Sequence, residues 1–257
     1  MIRAVIFDMD ETLLDWSQHN GDWDEIRQSQ LRPVYERLAA RGHDLPPLKD
    51  VAELYNQVNH EVWMASTPPE WVAPRQIDVL RETLNRLKVV VGKEELAELQ
   101  QLFGWGPIPG VRIFPDAPVV LAVLRRAGLR IGLMTNASSP MWMRDRELEA
   151  YGLLSFLDVR LTAGDVGHLK PHRRAFEAVL ERLGVLPDEA IFVGDQLHDD
   201  VSGAQGVGMR AIWICRLRGD GVNGEGTDSH NGVKPHATIH TLTELLDKLD
   251  EWYPGWR

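Results

Sequence analysis

Asp8 and Asp10 stand two residues apart directly after an apolar run, in VIFDMDETLLD (residues 5–15). In an extended segment alternate side chains point the same way, so both carboxylates are aimed at one pocket. Polar residues of complementary kinds follow other apolar runs. Thr135 and Asn136 come after IGLM, Asp195 comes after IFVG with Asp200 five residues on, and Lys170 stands in GHLKPH. These types suit phosphoryl transfer. An aspartate carboxylate is a competent nucleophile, and a lysine ammonium, a threonine hydroxyl and backbone N–H groups can bind phosphoryl oxygens. Asp8 and Asp195, with Asp200 nearby, make a hard, oxygen-only donor set of the kind Mg²⁺ prefers, and such a cation would hold the repelling charges together. Asp10 shares the pocket without being the nucleophile, and a nearby carboxylate favours its protonated form. It could then protonate a leaving alkoxide and later deprotonate a water, help worth about 10²–10⁴-fold.

Short apolar runs rich in β-branched residues read as buried strands at residues 3–7, 129–134, 190–193 and 211–214, with a weaker one at 157–161. Helical spacing lies between them: Val119, Val120, Val123 and Leu124 before Gly128, and Phe176, Val179, Leu180 and Leu183 before Gly184. Strands alternating with helices predict a doubly wound, Rossmann-like α/β sheet with both faces covered, and ligands at the carboxyl ends of its strands. Residues 16–110 break the alternation. They hold apolar stripes at helical spacing in residues 51–62, 77–87 and 96–103, and an earlier helix over residues 26–41 that Pro33 should kink or split. The expected organisation is a core of residues 1–15 and 111–257 with an α-helical insertion at 16–110, the chain returning through GWGPIPG (104–110). Residues 218–234 read as a surface loop and 241–252 as a closing helix.

The net charge of −10 argues against nonspecific binding to nucleic acid or to an anionic membrane. A single cysteine, Cys215, excludes an intrachain disulfide and fits a reducing compartment. No apolar stretch is long enough for a signal peptide or a membrane span, which makes the cytoplasm the default expectation.

Four segments together resemble the haloacid dehalogenase superfamily, in its branch of Mg²⁺-dependent phosphatases with a helical cap. DMDET resembles its Asp-x-Asp-x-Thr motif, LMTNAS its second, the Lys-Pro of GHLKPHRRAF its third and VGDQLHDDVSGA its fourth, in the family's order across nearly the whole chain. The resemblance implies that Asp8 is nucleophile and metal ligand. It implies that Asp10 is general acid and base, with its main-chain carbonyl on the metal, and that Asp195 is a further ligand. Thr135 and Lys170, with Asn136 beside them, would bind the phosphoryl group of a small phosphorylated metabolite. Two spacings occur for the second acid of the fourth motif; Asp200 fits the longer and is favoured, Asp199 the shorter. Glu11 stands where many relatives carry Gly, and His172 where Asp is common. Three rival readings are a 2-haloacid dehalogenase, which would lack Asp10, a phosphomutase, and a non-catalytic binding protein of the same fold.

Other candidates have plain structural explanations. Trp16, Trp63, Trp71 and Trp105 could line a substrate pocket, but each is read as packing within the insertion. Arg75 and Arg81 could meet a second anionic group, and a solvated helix face explains them equally well. His198, His230, His236 and His240 near Cys215 match no zinc spacing and are read as surface or loop residues.

Overall fold

In the computed structural model, the described residues are 1–218, 221–222 and 232–257. In chain order the elements are β1 (Ala4–Phe7), β2 (Leu14–Asp15), α1 (Trp23–Ala40), α2 (Leu48–Met64), α3 (Gln76–Arg86), α4 (Lys93–Leu102), β3 (Arg112–Ile113), α5 (Ala117–Arg126), β4 (Arg130–Thr135), α6 (Met141–Ala150), β5 (Val159–Thr162), α7 (Ala163–Val166), α8 (Arg173–Leu183), β6 (Ala190–Gly194), α9 (Gly203–Gly206), β7 (Arg210–Ile214), β8 (Leu217–Arg218), β9 (Gly221–Val222), β10 (Ala237–Ile239) and α10 (Thr243–Trp252). Six strands form one parallel sheet in the order β10-β7-β6-β1-β4-β5. The order reverses at β1, with β4 on one side and β6 on the other. That is the switch point where open α/β sheets form their ligand crevice.

Alternation along the strands divides the core. Val5 and Phe7 of β1, Ile191 and Val193 of β6, and Ile212 and Ile214 of β7 pack under α5 and α10. Ala4, Ile6, Phe192 and Ala211 face the other way, under α8 and α9. Gly132 of β4 is required by this second contact, since a β-carbon there would come 3.0 Å from Leu183 and 3.1 Å from Ile6 and Val179. Helix α8 ends where the sequence predicts, at Gly184 in the left-handed conformation.

Helices α1–α4 lie between β2 and β3, two short strands that pair antiparallel. They bury a separate apolar cluster that includes Leu31, Tyr55, Val58, Leu80, Leu99 and Phe103. Pro33 does not split α1, which runs as one helix from its N-cap Asp22. Beside the backbone bond that Pro33 cannot make, the Gly104 amide donates to the Gln30 carbonyl at 2.8 Å. The entering and returning chains run together: a β-carbon at Gly110, whose φ is +82°, would overlap the Gln18 carbonyl, and His19 Nδ1 lies 2.9 Å from the Pro109 carbonyl.

The expected surface loop of residues 218–234 begins within a short antiparallel ribbon, β8 with β9; most of the rest lies outside the described residues. Strand β10 at the sheet edge and helix α6 were not expected from the sequence.

Candidate active site

Register brings the polar residues to one level. Phe7 pairs with Leu133 on one side and Val193 on the other, so Asp8, Thr135 and Asp195 emerge within a residue of one another at the carboxyl edge. A cavity of about 200 Å³ there is lined by Asp8, Asp10, Glu11, Thr135, Asn136, Lys170, Asp195 and Asp199. Every residue proposed from the sequence lines it except Asp200, which sits just beneath and is fully buried.

Lys170 is the hub. It is 3% exposed, and its Nζ donates to Asp8 Oδ1 and Asp200 Oδ1, both at 2.6 Å. Burial alone would lower its pKa, but Asp200 and Asp8 outweigh it and hold the ammonium above the ordinary lysine range. Asn136 fixes the Lys170 backbone, accepting from its amide at 2.8 Å and donating to its carbonyl at 3.1 Å. The Asp200 carboxylate completes its shell with the Gln196 amide at 3.0 Å. It fits under β6 because residue 194 is glycine, where any β-carbon would overlap it. Asp199 instead meets Asn136 Nδ2 at 3.2 Å and His198 at 2.7 Å.

Asp8, Asp195 and Asp200 each offer a carboxylate oxygen, all within 4.8 Å of one another, the metal-capable cluster among the described residues. Burial pushes the Asp8 carboxyl up to about 7; Lys170 pulls it down, and Asp200 and Asp10 add to the rise. Burial, then Asp8 and Asp200, push Asp195 up to about 8. Three carboxyl groups crowd one ammonium, and their repulsion helps push Asp8 and Asp195 toward the neutral form. The donors are all hard oxygens, so the site fits a divalent cation such as Mg²⁺, which would let them ionise together. Among the described residues, His236, His240 and Cys215 form no such cluster; His240 Nδ1 meets the Cys215 carbonyl and His236 Nδ1 the Ala211 amide. His230 lies outside the described residues.

Asp10 is gripped from the far side. Trp16 Nε1 donates to its Oδ1 at 2.9 Å, and Arg144 Nη2 donates to its two oxygens at 3.0 and 3.2 Å. Arg144 is buried on α6, with its Nε 2.7 Å from Glu147 Oε2. Burial outweighs this ion pair and pushes Glu147 up to about 7. Sequence reasoning missed this pair; the signal was an Arg and a Glu at i,i+3 following the second motif.

The two departures from the family pattern find local roles. Glu11 takes a left-handed backbone, φ +60°, the conformation that Gly would adopt without strain. His172 caps α8, its Nδ1 accepting from the Arg174 amide at 3.2 Å.

A second cavity, also about 200 Å³, runs from Asp10 into the helical insertion between Trp16, Trp23, Arg27, Tyr55, Trp63 and Trp105. Three of the tryptophans read from sequence as packing residues thus face this space; each is only partly buried, Trp105 against the apolar cluster of the insertion and Trp16 and Trp63 against the two clusters of the sheet. Trp71 instead lies against His198, ring centres 5.8 Å apart. Arg75 and Arg81 both pair with Asp78 on the exposed face of α3 and reach neither cavity.

A parallel sheet with aspartates at its switch point, under a helical insertion, defines an α/β enzyme with a carboxylate-centred site. The chain belongs to the haloacid dehalogenase-like hydrolases, whose family model matches residues 2–208. It is 31% identical to a phosphoserine phosphatase of Thermus thermophilus over 84% of this chain and 89% of that one. The crystal structure of a HAD phosphatase from Thermococcus onnurineus matches with a TM-score of 0.55 at 28% identity, covering 96% and 98% of the two chains. A 2-haloacid dehalogenase from Pseudomonas syringae pv. Tomato matches with a TM-score of 0.61 at 24% identity, covering 98% of this chain and 100% of that one, a likeness of fold.

Proposed function

We propose that this hydrolase is a Mg²⁺-dependent phosphatase that cleaves a small phosphorylated metabolite through an aspartyl-phosphate. The observation that carries the reading is the junction of Asp8, Lys170 and Asp195 in one cavity, with Asp10 two residues on and facing a second space. An Asp8 oxygen attacks phosphorus while the bond from phosphorus to the leaving oxygen breaks, and Asp10 gives that oxygen a proton. Asp10 then takes a proton from the water that attacks the acyl phosphate, releasing inorganic phosphate and restoring Asp8. Thr135, Asn136 and Lys170 bind the phosphoryl oxygens and keep them oriented. Asp8, Asp195 and the Asp10 carbonyl, with Asp200 in reach, would hold Mg²⁺, which supplies charge neutralisation of the phosphoryl group. Residues 16–110 serve as the cap that covers the leaving group and excludes bulk water. Cys215, buried and unpaired, fits a cytoplasmic setting.

Asp10 argues against the dehalogenase alternative, which has no need of a proton donor to the leaving halide. The test is release of inorganic phosphate from a panel of phosphomonoesters, with Mg²⁺ and with chelator, by the wild type and by Asp8→Asn. Wild-type turnover should need the metal and vanish in the variant. Phosphate release that persists in Asp8→Asn would remove the nucleophile assignment.

A further inference from the structure

The cavity beyond Asp10 holds an arginine that the proposed chemistry leaves unused. Arg27 lies on α1 along the stripe that buries Gln30, Leu31 and Val34. Its Nε donates to Asn56 Oδ1 at 2.9 Å and its Nη1 to Gln30 Oε1 at 2.8 Å. Its guanidinium carbon stands 4.8 Å from the centre of the Tyr55 ring. These contacts fix the fork with neutral groups. Among the described residues, no carboxylate stands within 4.0 Å of it. The other arginine lining the cavity, Arg144, is matched by Asp10 and Glu147. Arg27 is partly buried; covering a charge without a counter-ion is costly, and a rigid guanidinium with unspent Nη donors is shaped for an oxyanion. Burial already lowers the proton affinity of Arg27, a cost that an anionic ligand would offset.

Resting on the phosphatase reading, we infer that Arg27 is a specificity residue: the preferred substrates are small phosphomonoesters whose alcohol portion carries a second oxyanion, received by Arg27 while the ester oxygen lies at Asp10. The room agrees with this. A cavity of about 200 Å³ has space for a short alcohol with a carboxylate or a second phosphate.

Calorimetry with Mg²⁺ on the turnover-blocked Asp8→Asn protein tests the inference with three esters of one chain length: 3-phosphooxypropionate, 1,3-propanediol monophosphate and 1,3-propanediol bisphosphate. At least one charged ester should bind about 10–100-fold tighter than the neutral one, and the tighter of the two identifies the anion. Adding Arg27→Gln should bring all three within about threefold of one another. Arg27→Lys should keep part of the preference, since it retains the charge without the fork. Equal binding of the three by Asp8→Asn would overturn the assignment, as would a preference that survives Arg27→Gln. Phosphate release by the wild type separates this from the underlying reading: hydrolysis of all three without preference sinks the role of Arg27 alone, and hydrolysis of none sinks both.

Discussion

Gly194→Ala is a one-methyl change that tests how the site is built. A β-carbon there would stand 2.7 Å from Asp200 Cβ and overlap the carboxylate. Asp200 cannot turn aside without giving up Lys170 Nζ at 2.6 Å or the Gln196 amide at 3.0 Å. Overpacking costs about 1–3 kcal/mol, and losing a hydrogen bond to a charged group adds about 1.5–3 kcal/mol. The expected destabilisation is therefore about 2.5–6 kcal/mol. With a urea slope near 3 kcal/mol/M, the unfolding midpoint should fall by about 1–2 M. The decisive measurement is a double-mutant cycle. In an Asp200→Gly background the three atoms nearest the added methyl are gone, so Gly194→Ala should then cost under about 1 kcal/mol, a coupling of about 1.5 kcal/mol or more. Additive costs would show that residue 194 is glycine for some other reason and that Asp200 is not wedged against it.

Three further outcomes are expected. Arg144→Lys cannot span Asp10 and Glu147 as the guanidinium does, so kcat/KM on an alkyl phosphate should fall about tenfold or more. On p-nitrophenyl phosphate, whose leaving group needs no proton, the loss should be small, and equal losses on both would deny Asp10 the role of acid. Mg²⁺ at about 100 times its Kd should raise the unfolding free energy by about 2.7 kcal/mol, an effect that Asp195→Asn should erase in a thermal-shift measurement. His172→Asp should stabilise α8 by about 0.5–1 kcal/mol through a stronger cap at a helix N-terminus. Burial, then His168, lowers the His172 pKa, and only its neutral form accepts the Arg174 amide. The unfolded chain therefore takes the proton first, and the wild-type contribution is complete above about pH 6.5 and lost as pH falls below it. The stability gap in favour of His172→Asp should accordingly widen between about pH 7 and pH 5; a gap that narrows over this range would exclude the cap.

What the sequence made legible follows from where polar groups interrupt apolar runs. The strands carrying Asp8, Thr135 and Asp195 are buried on both faces, so they read as unbroken apolar segments, and the first polar residue marks their ends. The helices α2, α3 and α4 were legible because each buries one stripe. Register was not legible, since nothing in a single chain states that Phe7 lies level with both Leu133 and Val193. Helix α6 was missed for a physical reason: its buried face carries Arg144 and Glu147 beside Met141, Met143 and Leu148, so charge interrupts the periodicity that marks other helices. Strand β10 spans three residues at the sheet edge, too short for any pattern. Arg27 was not singled out from the sequence; only the fold shows that its helix brings it to a cavity.

Helix α6 also explains how the insertion and Asp10, the proposed acid and base, are joined. Met143 packs into the apolar cluster of the insertion, while Met141 and Leu148 pack into the core. Arg144, the next residue after Met143, holds Asp10. Trp16, at the start of the insertion, bonds the same carboxylate and stacks on Trp23 of α1, ring centres 6.1 Å apart. Asp10 is thus held by one donor from the core and one from the connection to the insertion, whereas Asp8 is held by Lys170 within the core. A shift of the insertion would move the surroundings of Asp10 while leaving Asp8 in place. In the proposed reaction this ties proton transfer to a closed cap, and leaves the sheet edge free to admit a phosphoryl group when the cap is open.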